Sequence, residues 1–471
     1  MTHHRAFLPS LVTVALISLA SPAVSLAQPQ EQVDQAQATA APTPTLPPAF
    51  QFGSYGNIQF GTDLQGKTGR QTNVTSRGPR LIEPSYQELH FRYRLLVPAN
   101  EIGTKAKLVT TIALGQEAFH YTGEFDVSLA LRNMFVQVDD LFWKDFGVWV
   151  GSRMYRGDDI YLLDYWPLDN LNTLGGGFSL KVEKLEIAAH VGVNRLDNDY
   201  QLQIIESPSH DTIGAVSDAL LDRQRSIVSL RLTYPLVDTG LARLYVERHD
   251  LPSGEKNEPT SGAVYAWPRD SGWVVGAQLK GWTGDGLSGS LWLKFGAGLG
   301  AYGEMTTPFG LALDRKAADA KLFTAAFSGT LEKSRFAIPL AAYVSLFRDA
   351  SGLENNARDY EEVVVNLRPT VFLHKQFHLA LDASYQLRAP HTFSDDGKTP
   401  VRAQVVQFGL MPSFVPSADG FMGRPTIRAI YAIRLLNADA RQALYGSADE
   451  RIDRKVDHFL GLSAEWWFNV D

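Results

Sequence analysis

Along the last stretch of the chain, apolar and polar positions alternate with period two. Val456, His458, Leu460, Leu462, Ala464, Trp466 and Phe468 fall on one side of an extended strand, and Asp457, Phe459, Gly461, Ser463, Glu465 and Trp467 on the other. The first face is nearly all apolar and ends in aromatics, the pattern of a strand that meets lipid and finishes in the aromatic girdle of a bilayer interface. The second face is polar yet carries Trp467. Earlier segments repeat the pattern: Phe52, Ile58 and Phe60 oppose Gln51, Gly53, Tyr55, Asn57 and Gln59, while Leu89, Phe91, Tyr93 and Leu95 oppose Tyr86, Glu88, His90, Arg92 and Arg94. A soluble sandwich would bury such faces equally well, so alternation alone does not decide.

Repetition decides. About eighteen such segments of roughly ten residues follow one another from 50 to 468 with no helix signal between them, an even number suited to an all-β, antiparallel transmembrane barrel. Closure removes the edges an open sheet of that size would expose. Short connectors such as Glu183–Lys184 alternate with long polar ones, including 61–85, 157–175, 196–224 and 437–454, which predicts periplasmic turns on one side and extracellular loops on the other. A barrel this wide encloses an aqueous lumen, so a pore is the expected function.

Composition agrees. The chain has 471 residues, 39 Gly, 11% aromatics and no cysteine, so no disulfide framework supports it. After residue 27 no apolar run approaches the roughly 20 residues of a membrane helix. Arg5, an apolar core from Leu11 to Ala20, and the small residues Ser25 and Ala27 predict a cleaved signal peptide over 1–27. Residues 28–48 form a Pro/Gln/Ala-rich periplasmic linker, and 49–471 the barrel. The net charge of −7 and the absence of a basic patch exclude nucleic acid as a partner.

The stretch Trp149 to Asp169, WVGSRMYRGDDIYLLDYWPLD, followed by Gly175–Gly177, resembles the most recognisable segment of the maltoporin family. Phe52 to Gly56, Pro84 to Leu89, Arg424 to Ala432 and Gly461 to Phe468 resemble further family segments in the right order. The resemblance implies an eighteen-stranded homotrimeric barrel in the Gram-negative outer membrane, with the third extracellular loop folded inward and oligosaccharides of maltodextrin type passing along lumenal aromatics. It places Tyr55, Tyr86 and Trp467 on the track and Trp166 at the constriction. Glu88, Arg132 and Asp164 become partners of sugar hydroxyls, with Asp159 and Arg153 nearby.

Several positions depart from the family. Met422 stands where a track Trp is expected, with Phe421 pointing the other way, and Val275 replaces another aromatic that Trp292 could supply. Asn57 replaces a basic residue and Gly157 lies beside the constriction. The loop from about 115 to 145, a subunit latch in the family, is shortened. Arg92, Arg94, Arg428 and Arg434 read as general pore lining.

No cofactor, metal or catalytic set is expected, since Asp158–Asp159 and Glu361–Glu362 are adjacent pairs whose members point apart on a strand. Two alternatives stay open: a general or anion-preferring porin for small solutes, and a secreted carbohydrate-binding or carbohydrate-cleaving β protein.

Overall fold

The computed structural model describes residues 49–470 apart from 99, 116–118, 120–122, 124–128, 209–214, 237–239, 258–262, 284, 354–355 and 395–396. The signal-peptide and linker assignments, and eleven positions of the proposed latch loop between 116 and 128, lie outside the described residues.

Eighteen antiparallel strands close into one barrel: β1 (Phe50–Thr62), β2 (Tyr86–Leu95), β3 (Lys105–Leu114), β4 (Leu129–Asp139), β5 (Phe146–Arg156), β6 (Asn170–Val182), β7 (Leu185–Asn194), β8 (Arg225–Leu236), β9 (Gly240–Leu251), β10 (Asp270–Thr283), β11 (Leu287–Gly298), β12 (Lys321–Lys333), β13 (Phe336–Arg348), β14 (Tyr360–Leu367, resumed at Thr370–Phe372), β15 (Phe377–Pro390), β16 (Ala403–Phe414), β17 (Thr426–Leu436) and β18 (Val456–Phe468). β1 pairs with both β2 and β18, which closes the ring. Both parts of β14 pair with β13 and β15. The interruption falls at Pro369, which has no N–H to give to the ladder.

The period-two reading holds along the wall. In β9, Val246 is 46% exposed between the buried Tyr245 and Glu247; in β18, Leu460 and Leu462 face out while Phe459, Ser463 and Glu465 face in. Rings gather at the periplasmic rim: Phe52 lies 5.6 Å from Phe91 and 5.8 Å from Phe468, and Trp143 lies 4.7 Å from Phe146. These are the girdle residues that anchor a barrel at the interface.

Two features differ from the sequence expectation. The connector between β16 and β17, 415–425, spans eleven positions on the periplasmic side, where short turns were expected. β4 carries a bulge: Thr111 pairs with Asn133 but Ile112 pairs with Leu131, so Arg132 is the extra residue. Leu131 and Met134 stay exposed on either side, and the two residues between them leave the strict alternation.

The sixth loop, 299–320, is tied down by a buried carboxylate. Glu304 Oε1 accepts from the Asn172 backbone N–H at 2.6 Å and from Asn172 Nδ2 at 2.7 Å, while Oε2 is buried without a hydrogen-bond partner. Burial pushes this carboxyl up to about 7.

The outward assignment predicts that Val246→Arg, near the middle of β9, destabilises folding into lipid vesicles by about 2–4 kcal/mol, whereas a loss below roughly 1 kcal/mol in denaturant titration would contradict it. The Glu304 carboxyl lies above its ordinary value, so its contribution is full below about 4.5 and is lost as the pH rises through about 7. Protection of 299–320 against hydrogen exchange, corrected for intrinsic rates, should be higher at about pH 5 than at about pH 8, and Glu304→Gln should flatten the difference; equal protection in the unmutated protein would refute it.

Candidate functional site

The third loop, 157–169, folds into the lumen because it is apolar where it meets the far wall. Ile160, Leu162, Leu163, Tyr165 and Leu168 bury against Tyr245, Val274, Trp292, Ala326, Ala341, Tyr343 and Val364. Small residues on that wall make room for it: a Cβ on Gly276 would stand 2.2 Å from Leu168 Cδ2. A bridge between Ile160 and Tyr165 closes a single 3-10 turn, Tyr161–Leu163, and Asp164 ends the turn in the left-handed region at φ 47°.

Charges fix the loop's two ends. Asp158 accepts from Gln278 Nε2 at 2.7 Å and lies 3.4 Å from both Arg243 and Lys280. Burial alone would raise its carboxyl, but those two cations and the Gln278 bond hold it below the usual range. Asp159, without such partners, is pushed up by burial. Asp169 pairs with Arg231 at 2.7 Å. Gly157 is small for a reason: a Cβ there would sit 1.8 Å from Asp169 Oδ1.

The first loop, 63–85, also turns inward. Leu81 and Ile82 bury against Ala380, Met411, Ile430, Ala432 and Phe459 of β15–β18. Its backbone is held by wall side chains, with Ser76 N–H on Glu362 at 2.9 Å, Arg77 N–H on Tyr343 Oη at 3.1 Å, and Arg368 donating to the Arg80 carbonyl at 2.6 Å. Arg80 N–H in turn donates to Leu162 O of the third loop at 2.8 Å.

Both loops and the long periplasmic turn meet at Glu465 on β18. Tyr161 donates to Glu465 Oε2 at 2.9 Å, Arg424 Nε donates to the same oxygen at 2.9 Å, and Arg428 pairs with it. Arg80 Nη2 lies 3.1 Å from Oε1. Arg80 also pairs with Glu83 at 2.8 Å, where burial raises the Glu83 carboxyl against the pull of Arg80.

An eighteen-stranded barrel narrowed by inward loops matches one family throughout. A family model described as LamB porin covers residues 50–468. The chain belongs to the LamB porin family, the maltoporins. It is therefore an outer-membrane porin of a family of channels. Solved structures similar to it include Pseudomonas aeruginosa OccK2 (13% identity, TM-score 0.46, covering 89% of this chain and 97% of that one). Acinetobacter baumannii OccAB1 (12%, 0.45, 89% and 96%) and the outer membrane channel DcaP of the same organism (11%, 0.44, 89% and 98%) are further examples. A search of curated protein sequences finds no match.

In this LamB porin the structure brings many of the sequence-selected residues together. Tyr55 and Tyr86 lie with ring centroids 6.2 Å apart, and Trp467 is the cross-strand partner of Tyr55. Tyr86 donates to Glu88, whose other oxygen is 3.2 Å from His90 Nε2. The rings are not bare, however. Arg424 lies 4.0 Å over Trp467, Arg156 lies 4.3 Å over Trp166, and Arg80 donates to the Tyr55 hydroxyl and lies 5.7 Å from its ring. Arg153 lies over Phe135 and Trp149 at 4.6 and 5.0 Å.

Four sequence assignments change. Trp292 does not supply a track ring, because it is 2% exposed beneath the third loop. Val275 is 44% exposed next to the buried Val274, on the lipid side. Phe421, expected to point away, packs edge-on against Tyr161 at 6.0 Å, while its neighbour Met422 stands 47% exposed. Arg434 is fully buried and paired with Asp457 at 2.7 Å, so it does not line open water.

Arg80, Glu83, Tyr161, Arg424 and Glu465 were missed as a group. Two signals in the sequence could have found them: Leu81–Ile82, an apolar pair within a polar loop, and Glu465, a carboxylate on the inward face of the last strand.

Glu465→Gln keeps the shape but leaves three guanidiniums without their shared carboxylate. It is expected to destabilise the folded channel by about 3–5 kcal/mol and to increase open-channel current noise, whereas an unchanged denaturation midpoint with quiet currents would contradict the arrangement.

Proposed function

We propose that the protein is a channel for passive, facilitated diffusion of oligosaccharides of maltodextrin type, exported through a cleaved signal peptide and assembled as a homotrimer. One observation carries the reading. Tyr55, Tyr86 and Trp467 stand side by side on three hydrogen-bonded strands, β2, β1 and β18, with Glu88 and Arg80 among them. Rings take the apolar face of a pyranose, flanking carboxylates accept from its hydroxyls and guanidiniums donate to them, so many weak positions follow one another. Transport needs that weakness, since tight binding would block the pore. Asp159, Asp164, Arg132, Arg153 and Trp166 extend the path past the third loop. The family membership supports the same reading.

A second reading, an anion-preferring pore for small solutes, is favoured by the guanidinium that covers each of Trp467 and Trp166. A sugar stacking there would have to displace or share that face.

The two readings separate in planar bilayers. If sugar stacks on the strip, Tyr86→Ala lowers the affinity of maltodextrin block by about two- to tenfold, from a stacking term of about 0.5–1.5 kcal/mol, and leaves sugar-free conductance equal or slightly higher. Absence of sugar block in the unmutated channel, with strong anion selectivity in a salt gradient, would select the second reading instead.

A further inference from the structure

Most arginines of the lumen are neutralised. Arg80, Arg231, Arg243, Arg424, Arg428 and Arg434 each pair with a carboxylate. Among the described residues, Arg132 and Arg156 make no ion pair. Arg132, the bulge residue of β4, donates Nε to Met154 Sδ at 3.0 Å, a weak acceptor that leaves its other N–H groups to spare. Arg156 ends β5 with its guanidinium 4.3 Å over the Trp166 ring, which occupies its face and leaves its edge.

The two guanidiniums are neighbours: Arg132 reaches Met154, two positions before Arg156 along β5, and Glu88, Asp164 and Tyr86 lie close to Arg156. Glu88 and Asp164 offset part of the repulsion between these two like charges, but among the described residues neither carboxylate forms an ion pair with them. Hydrogen bonding is also incomplete here. Arg156 and Asn170 are cross-strand partners, and Arg156 Nε and Asn170 Oδ1 are both buried without a hydrogen-bond partner.

We propose that Arg132 and Arg156 form a single anion-binding step in the constriction, and that the preferred solute is a saccharide carrying an acidic group, a carboxylate or a phosphate. The inference rests on the saccharide reading above and narrows it. Two forks of N–H donors match the oxygens of a carboxylate or phosphate, while Glu88 and Asp164 accept from sugar hydroxyls and Tyr86 supplies a ring. One such step attracts an acidic sugar without trapping it, because the neighbouring Glu88 and Asp164 carboxylates oppose the same acidic group.

The test is single-channel current block by the full-length channel in planar bilayers, with glucose, glucuronate and glucose 6-phosphate added in turn, and acetate and inorganic phosphate alongside. At least one acidic sugar should block at about tenfold lower concentration than glucose, as a charge-assisted hydrogen bond implies, and the other identifies whether carboxylate or phosphate is preferred. Arg132→Gln and Arg156→Gln should each bring the acidic sugars toward the level of glucose, weakening acidic-sugar block by a larger factor than glucose block. Arg156→Lys keeps the charge but loses the fork, and should fall between. Folding of each variant is read from its gel mobility before and after heating, and the Arg156→Lys comparison stands if a Gln variant does not fold.

Equal block by glucose and both acidic sugars overturns the inference and leaves the saccharide reading intact. An acid preference that survives both Gln substitutions also overturns it. Block by acetate or inorganic phosphate as strong as by the acidic sugars overturns its saccharide part. Absence of block by any sugar overturns both the inference and the reading on which it rests.

Discussion

A single buried carboxylate ties the inward loops of this barrel to its last strand. Glu465 is 1% exposed and faces Arg80 from the first loop, Arg424 from the periplasmic turn and Arg428 from β17, with the Tyr161 hydroxyl of the third loop on the same oxygen as Arg424 and Arg428. Three guanidiniums together would repel, and one carboxylate without them would be costly to bury. Their mutual neutralisation brings three separate segments to one point on the last strand. The apolar contacts of Leu81 and Ile82 on one wall and of Ile160, Leu162 and Leu168 on the other then fix the direction from which the loops arrive.

The pore chemistry follows from this junction. Because Arg80 and Arg424 must reach Glu465, their guanidiniums lie against Tyr55, Tyr161 and Trp467 on the way. The aromatic residues that the family resemblance selects are therefore platforms for arginine as well as surfaces for a solute. Away from Glu465, the bulge in β4 turns Arg132 out of the alternation, and the glycine at 157 lets Asp169 reach Arg231 beneath the loop. Arg132 and Arg156 remain beside Glu88 and Trp166 without a carboxylate of their own.

Much of this was legible in the sequence, because period-two alternation depends only on which face meets lipid. It located all eighteen strands and put Tyr55, Tyr86, Glu88 and Trp467 on the inward side. What it missed depends on distant contacts. Val275 and Val274 differ by one position, and only the register of β10 against β9 and β11 tells which is buried. Trp292 looks like any lumenal ring until the third loop covers it. A one-residue bulge at Arg132 leaves no mark in composition. The meeting of Arg80 and Tyr161 with Glu465 joins residues more than three hundred positions apart, and spacing along the chain carries no trace of it.

The central claim is that the third loop rests against the last strand in the conducting channel. The chain has no cysteine, so a pair introduced by Tyr161→Cys and Trp467→Cys is unique, and the native rings at these positions are 6.1 Å apart. The decisive measurement is the conductance of that double variant in bilayers before and after treatment with a bifunctional thiol reagent whose flexible spacer replaces the two rings. The account predicts that the cross-link forms readily and leaves conductance unchanged. A pair that the reagent does not bridge, or a channel that closes when it does, would contradict it.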